Sequence, residues 1–268
     1  MLTWFLLAKI LVSAAMVLSL SAVAEYGNPR LAGILSGAPM GAPIVLLFVG
    51  HEQGIDFAVS TVPTGIAGFA ATLAFTFAYD RAATLRKVGN APIATLLATI
   101  AFFAVGWGVV QLGFGLGGSI GLIVAAIIAS SFLLPAMDGK VKVARIRMSF
   151  RVLILRAALS AAFVVSIISA AELVGPDWSG VLLGFPMTIL PMLLILHLTY
   201  GAEHARNAIR GFPIGLGGVL LYLVTVPLSF PAFGIIGGTV VAVAVGVGYL
   251  AALNAVRWHM AARRASSA

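Results

Sequence analysis

Apolar runs of about 20 residues, divided by short polar interruptions, follow one another along the whole chain. A run of that length crosses the ~30 Å hydrocarbon core of a bilayer as a helix rising ~1.5 Å per residue. Nine are visible, at about 4–24, 31–50, 57–79, 92–111, 115–136, 151–171, 179–199, 207–229 and 232–256. The stretches between them are too short to hold a soluble domain. The pattern predicts an all-α, polytopic membrane helix bundle of about nine transmembrane helices.

The polar positions also repeat. At one offset of 147 residues the chain pairs Lys9 with Arg156, Ser13 with Ser160, Ser19 with Ser166, Glu25 with Glu172 and Pro29 with Pro176. The same offset pairs Gly33 with Gly180, Gly37 with Gly184, Pro39 with Pro186, Met40 with Met187 and Gly54 with Gly201. Matches among Ala, Leu and Val carry little weight in so apolar a chain. Matches among charged residues, Ser, Pro and Gly carry more, and they predict an internal duplication. The expected organisation is a first membrane repeat over 1–137 with about five spans, a basic cytoplasmic linker over 138–150, and a second repeat over 151–268 with about four. The start of the second copy is placed at about 148. Ala22-Val23-Ala24 after an apolar run resembles a signal-peptidase site. Because the same segment recurs inside the chain, residues 1–24 are read as the first span.

Composition agrees with the pattern. Charged residues make up 9% of the chain and hydrophobic ones 61%, and the mean hydropathy is +1.12, against about a quarter charged in soluble domains. The chain has no Cys, which excludes disulfides, thiolate metal sites and cysteine nucleophiles. The net charge of +8 would suit nucleic acid, but the basic residues sit between spans, as the positive-inside rule requires. Arg30, Arg81, Arg86, Lys87, Lys140, Lys142, Arg145, Arg147, Arg151, Arg206, Arg210, Arg257, Arg263 and Arg264 all fall on one side when the N-terminus is outside and the C-terminus cytoplasmic. Glu52, Asp56, Glu172 and Asp177 then face out. Five spans separate the start of one copy from the start of the next, so the two repeats are expected to run in opposite, inverted orientations. Inverted repeats are common in secondary transporters. Phe114-Gly-Leu-Gly-Gly-Ser119 resembles Phe233-Gly-Ile-Ile-Gly-Gly-Thr239, which would match span nine with span five, whereas strict inversion matches it with span four; both remain open from sequence.

Proline and glycine interrupt matching spans. Gly37-Ala38-Pro39 with Pro43 falls in span two, and Gly184-Phe185-Pro186 with Pro191 in span seven. Pro63-Thr64-Gly65-Ile66-Ala67-Gly68 falls in span three, and Pro213-Ile214-Gly215-Leu216-Gly217-Gly218 in span eight. Proline removes a helical N–H and clashes with the carbonyl four residues back. Carbonyls freed within a bilayer must find neighbours or line a cavity. Paired interruptions in two halves point to a transporter's binding site, so Gly37, Pro39, Pro43, Pro63, Gly65, Gly184, Pro186, Pro191, Pro213 and Gly215 are substrate-binding candidates. The alternative for each is close helix packing.

Four ionisable residues lie in or near spans: Lys9, Glu25, Arg156 and Glu172. Lys9 and Glu25 are ~24 Å apart along one helix and cannot pair. If spans one and six pack antiparallel, Lys9 comes level with Glu172 and Arg156 with Glu25. Intramembrane charges are functional candidates by default, so these four are read as gate or coupling residues. The alternative is snorkelling to the nearer interface.

No catalytic constellation is visible. His51 is placed outside, and His197, His204 and His259 at the cytoplasmic side, so no His/Glu metal cluster assembles within one molecule. There is no Ser/His/Asp set, phosphate loop or HExxH. No enzyme activity, cofactor, metal or nucleic-acid partner is expected; the bilayer is the expected partner.

Gly180-Val-Leu-Leu-Gly-Phe-Pro186, followed by His197, Gly201-Ala-Glu203, Arg206 and Ile209, resembles the small bacterial inner-membrane proteins of the GlpM type. The likeness covers roughly 50 residues of the second copy, while the first departs from it, with Ala38 for Phe and no Arg after Gly54. The resemblance implies a bacterial inner (cytoplasmic) membrane location and a fusion of two such units; it implies no activity. Together these readings point to a secondary transporter of a small solute, an anion being one candidate class, working by alternating access. The alternative is a non-transporting accessory or assembly subunit of a cell-envelope pathway.

Overall fold

A computed structural model describes residues 7, 9–12, 15, 41–85, 90–134 and 150–266. Residues 7, 9–12 and 15 are helical. The remaining elements are α1 (Gly41–Gln53), α2 (Ile55–Ser60), α3 (Val62–Thr84), α4 (Ala91–Leu112), α5 (Leu116–Leu133), α6 (Phe150–Leu183), α7 (Ile189–Tyr200) and α8 (Ala202–Ser266). No strand occurs among the described residues. Four helices among them are long and apolar enough to cross a membrane: Val62–Thr84, Ala91–Leu112, Leu116–Leu133 and Ala202–Val256. The chain is therefore built as a helical membrane protein, as its hydropathy pattern predicts.

Several helices meet without a loop. Gly54 (φ 93°, ψ 166°) and Gly201 (φ 92°, ψ 169°), 147 residues apart, share one backbone conformation, in a region essentially confined to glycine. Each closes the helix behind it, with Gly54 N–H donating to Gly50 O at 3.0 Å and Gly201 N–H to His197 O at 3.0 Å. Each also starts the helix ahead, its own carbonyl accepting from Ala58 N–H or His204 N–H. A single residue is thus both C-cap and N-cap. Gly175 within α6 (φ 75°, ψ 175°) and Gly234 within α8 (φ 70°, ψ 178°) take the same kind of conformation. At Gly175 the Ser179 hydroxyl lies within hydrogen-bond distance of both Ala171 O and Gly175 O, tying the two sides of the corner together.

At Gly234 the chain folds back on itself. A Cβ placed at Gly238 would lie 2.8 Å from the Ser229 carbonyl, and one at Gly218 would lie 3.1 Å from Gly246 O. The two arms of α8 are therefore an antiparallel pair held close by small residues, the usual means of tight packing between membrane helices. Elsewhere a conventional cap suffices: at the start of α4 the Asn90 side chain accepts from Ile93 N–H at 3.0 Å, and a proline occupies the first turn, where no donor is needed.

α3 is the central span. It packs against α4, α5, α6 and α8, and 72% of its most apolar stretch is buried, against 28% for α4 and 17% for α5. α4 and α5 turn most of their apolar surface outward, which only lipid or another hydrophobic partner can cover. Helices on both sides of residues 138–150 contribute to one buried core; that linker lies almost wholly outside the described residues.

Candidate functional site

The chain between Gly175 and Gly201 is a helix broken in the middle. α6 ends at Leu183, and α7 begins at Ile189. Pro186 has no N–H to continue the ladder. Gly184 and Phe185 turn tightly instead, their N–H groups donating to Val181 O and Leu182 O three residues back. The Gly184 carbonyl, which would bond Thr188 N–H in a continuous helix, accepts the Thr72 hydroxyl from α3. Phe185 projects into an aromatic cluster with Phe102, Phe103 and Phe163, at centroid distances of 5.3, 6.3 and 5.1 Å. The break is thus anchored to α3, α4 and α6.

α3 lies along this broken segment in the same direction. Near its start, a Cβ at Gly180 would fall 2.0 Å from Thr64 Oγ1 and 2.4 Å from Thr61 O, and one at Gly184 would fall 2.6 Å from the Gly68 carbonyl carbon. Near its end, the Tyr79 hydroxyl lies 2.9 Å from His197 Nδ1. α3 meets its neighbour through a buried polar row of Thr61, Thr64, Thr72 and Tyr79.

A small cavity opens at the break. Gly41 and Ala42 of α1 line it, with Thr72 of α3, Gly184–Thr188, and Phe212 and Leu216 of α8. Its volume is about 30 Å3, room for one or two waters and nothing larger. The Thr72 hydroxyl, the Gly184 carbonyl and Thr188 give it a polar wall. The N-terminal end of α7 borders it through its N-cap Thr188, and a Cβ at Gly41 would lie 3.3 Å from Met187 Cγ and Sδ. Helix N-termini carry partial positive charge, so this wall offers hydrogen-bond donors without a charged side chain.

The residues singled out from sequence separate into groups. Gly184 and Pro186 form the break and line the cavity. Pro191 does not open its helix: it is the third residue of α7, where the missing N–H has no intrahelical partner to lose, and Pro43 lies within the described part of α1. Pro63 likewise lies in the first turn of α3. Gly65 serves close packing, its Cβ position lying 3.0 Å from Leu183 Cδ1. Pro213 and Gly215 are buried within α8, whose only non-helical φ/ψ is at Gly234. The interruptions expected at 63–68 and 213–218 do not occur; both stretches are helical. Gly37, Pro39 and Glu25 lie outside the described residues, as do the side chains of Arg156 and Glu172, whose backbones are on α6. The proposed pairings of Lys9 with Glu172 and Arg156 with Glu25 fall outside the described contacts. Lys9 is buried, and its ammonium lies 2.5 Å from Glu52 Oε1, at the end of α1 before Gly54.

At the opposite end of α3 is a cluster that sequence reasoning missed. Arg206 Nε donates to Asp80 Oδ1 at 2.8 Å and its Nη2 to Oδ2 at 3.5 Å, and Asp80 is 1% exposed. Next to Asp80, Tyr79 holds His197; Arg81 lies over the Phe77 ring at 5.0 Å and donates to Leu133 O. Arg210 Nη1 donates to Asn207 Oδ1. The sequence places Arg206 among the loop charges and in the tract that resembles the GlpM type, and gives Asp80 no role. The available signal was an acidic residue beside Arg81 on the side the basic residues mark as cytoplasmic. No group of His, Cys, Asp and Glu suited to a metal ion occurs among the described residues.

The chain matches no family model, no curated protein and no solved structure.

Proposed function

We propose that the chain is a secondary transporter of a small solute, working by alternating access in the cytoplasmic membrane, with its N-terminus outside. The observation that carries this reading is the broken helix at 184–188, bordering a cavity that Gly41 and Ala42 of α1 also line. Broken helices whose half-helix ends meet near the middle of the bundle are the usual site of substrate binding in inverted-repeat transporters. The match between Gly54 and Gly201 in φ and ψ and in the bond that each N–H donates four residues back supports a duplicated architecture. The second arm of α8 returns along the first as α4 returns along α3, which supports pairing span nine with span four and leaves α5 as an addition to the first repeat. The N-terminus of α7 at the cavity favours an anionic solute. At about 30 Å3 the cavity is too small for a solute, so this conformation is read as one with the site collapsed.

The test is flux. Purified protein in proteoliposomes, offered a panel of small organic anions with and without a proton gradient, should accumulate at least one anion. A bulky residue at the break, Thr188→Trp, should abolish that uptake. Absence of flux across the panel, with reconstituted protein folded in both orientations, would favour the accessory-subunit reading.

A further inference from the structure

Three of the elements that border the cavity, α3, α7 and α8, are tied together again nearer the Arg206 end. Thr72 lines the cavity from α3, and Tyr79 follows seven residues later, ~10 Å along the helix. Thr188 borders the cavity before α7, and His197 follows nine residues later, ~13 Å along. Phe212 and Leu216 line it from α8, and Arg206 lies six residues before Phe212 on that helix. Here Tyr79 meets His197 across the α3–α7 seam, and Asp80 meets Arg206 across the α3–α8 seam. Between cavity and clasp, α3 carries Phe75 and Thr76 and α7 carries Leu193, all 0% exposed, while α8 carries Asn207 and Arg210. Gly201, at φ 92°, joins α7 to α8 beside the clasp.

We propose that Asp80–Arg206, with Tyr79–His197, is the gate that closes the cavity toward the Arg206 face. Opening a path on that side means separating α3 from the α7–α8 corner, and these are the polar contacts that hold them together. Asp80 and Arg206 differ in exposure, with side chains 1% and 23% accessible. The arginine is therefore the partner that solvent reaches first. The chain already reverses at Gly201 without a loop, so α7 and the start of α8 can swing as one corner. The proposal rests on reading the cavity as the transport site, but its test does not require a known solute.

The chain contains no Cys, so a single Thr188→Cys supplies one thiol at the cavity wall. Its reaction with a membrane-impermeant maleimide is followed in vesicles of each orientation. Asp80→Asn and Arg206→Gln should each raise labelling from the Arg206 face about tenfold or more, since loss of a few kcal/mol from one state moves a two-state population by that order. Labelling from the Glu52 face should not rise. Asp80→Arg with Arg206→Asp should return labelling toward the parent level. Tyr79→Phe, which keeps the ring and removes the hydroxyl, should give a smaller rise on the same face and serves if the charge variants fold poorly. Unchanged labelling in Tyr79→Phe and the charge variants overturns the gate, as does an equal rise from both faces, which would mean general loosening. Flux with unchanged labelling removes the gate and leaves transport standing; gated labelling without flux does the reverse.

Discussion

The Thr72 hydroxyl donates to the Gly184 carbonyl across the α3–α6 seam, so a side chain on one helix supplies the bond that the break denies its neighbour. A buried acceptor left without a partner costs about 1–3 kcal/mol. Thr72→Val keeps the shape and removes the donor; it should lower thermal stability by that amount. Thr72→Ser should retain most of it. Equal stability of the Val and Ser variants would show that the carbonyl finds another partner.

Gly180 sits where a side chain has no room, its Cβ position falling 2.0 Å from Thr64 Oγ1 and 2.4 Å from Thr61 O. The second of these is backbone and cannot step aside. Gly180→Ala should push α3 and α6 apart and destabilise by about 1–3 kcal/mol or more. Gly248→Ala, with nothing within 4 Å of its Cβ position, is the control and should be neutral or slightly stabilising. Melting of both variants in the same detergent decides it.

The corners at Gly54 and Gly201 make a separate prediction, because a Cβ at either would meet nothing within 4 Å. Any loss on substitution is then backbone strain alone, about 1–3 kcal/mol for a residue forced into this region. Gly54→Ala and Gly201→Ala should lose similar amounts. A large difference between them would argue against equivalent corners.

Lys9 and Glu52, 2.5 Å apart with side chains 9% and 29% accessible, form a half-buried pair. A double-mutant cycle with Lys9→Met and Glu52→Gln should return a coupling of about 0.5–3 kcal/mol. A coupling near zero would mean that Lys9 is held chiefly by other contacts.

Orientation is tested by truncation fusions carrying a reporter after Asp56 or after Arg147. The distribution of Lys and Arg expects opposite sides, with Arg147 in the cytoplasm. The same side for both would remove the inverted arrangement.

What the sequence made legible follows from how local each cause is. Pro186 two residues after Gly184 disrupts hydrogen bonds within its own turn, so the break at 184–188 could be read directly. Pro63 and Pro191 carry the same chemistry, but they fall in first turns. Their effect depends on where the helix begins, and element boundaries are the least certain part of any reading of periodicity. Gly65 and Gly68 were visible as a small-residue tract, yet whether such a tract bends or packs depends on the partner, here Gly180–Gly184. Asp80 and Arg206 are 126 residues apart in sequence, and no spacing rule joins them. Lys9 and Glu52 were both seen, on one side of the membrane, without a reason to pair them.

Because Gly54, Gly175, Gly201 and Gly234 each reverse or redirect the chain within one residue, these corners offer no slack peptide. A protease cannot draw an extended strand from them into its cleft. An epitope or reporter domain spliced in at Gly201 would have to unwind the end of α7 or the start of α8 to find room. Tags on this protein belong at chain ends or at truncation points. The corners act as rigid joints, and a tag at one of them would report on its own damage before it reported on the membrane.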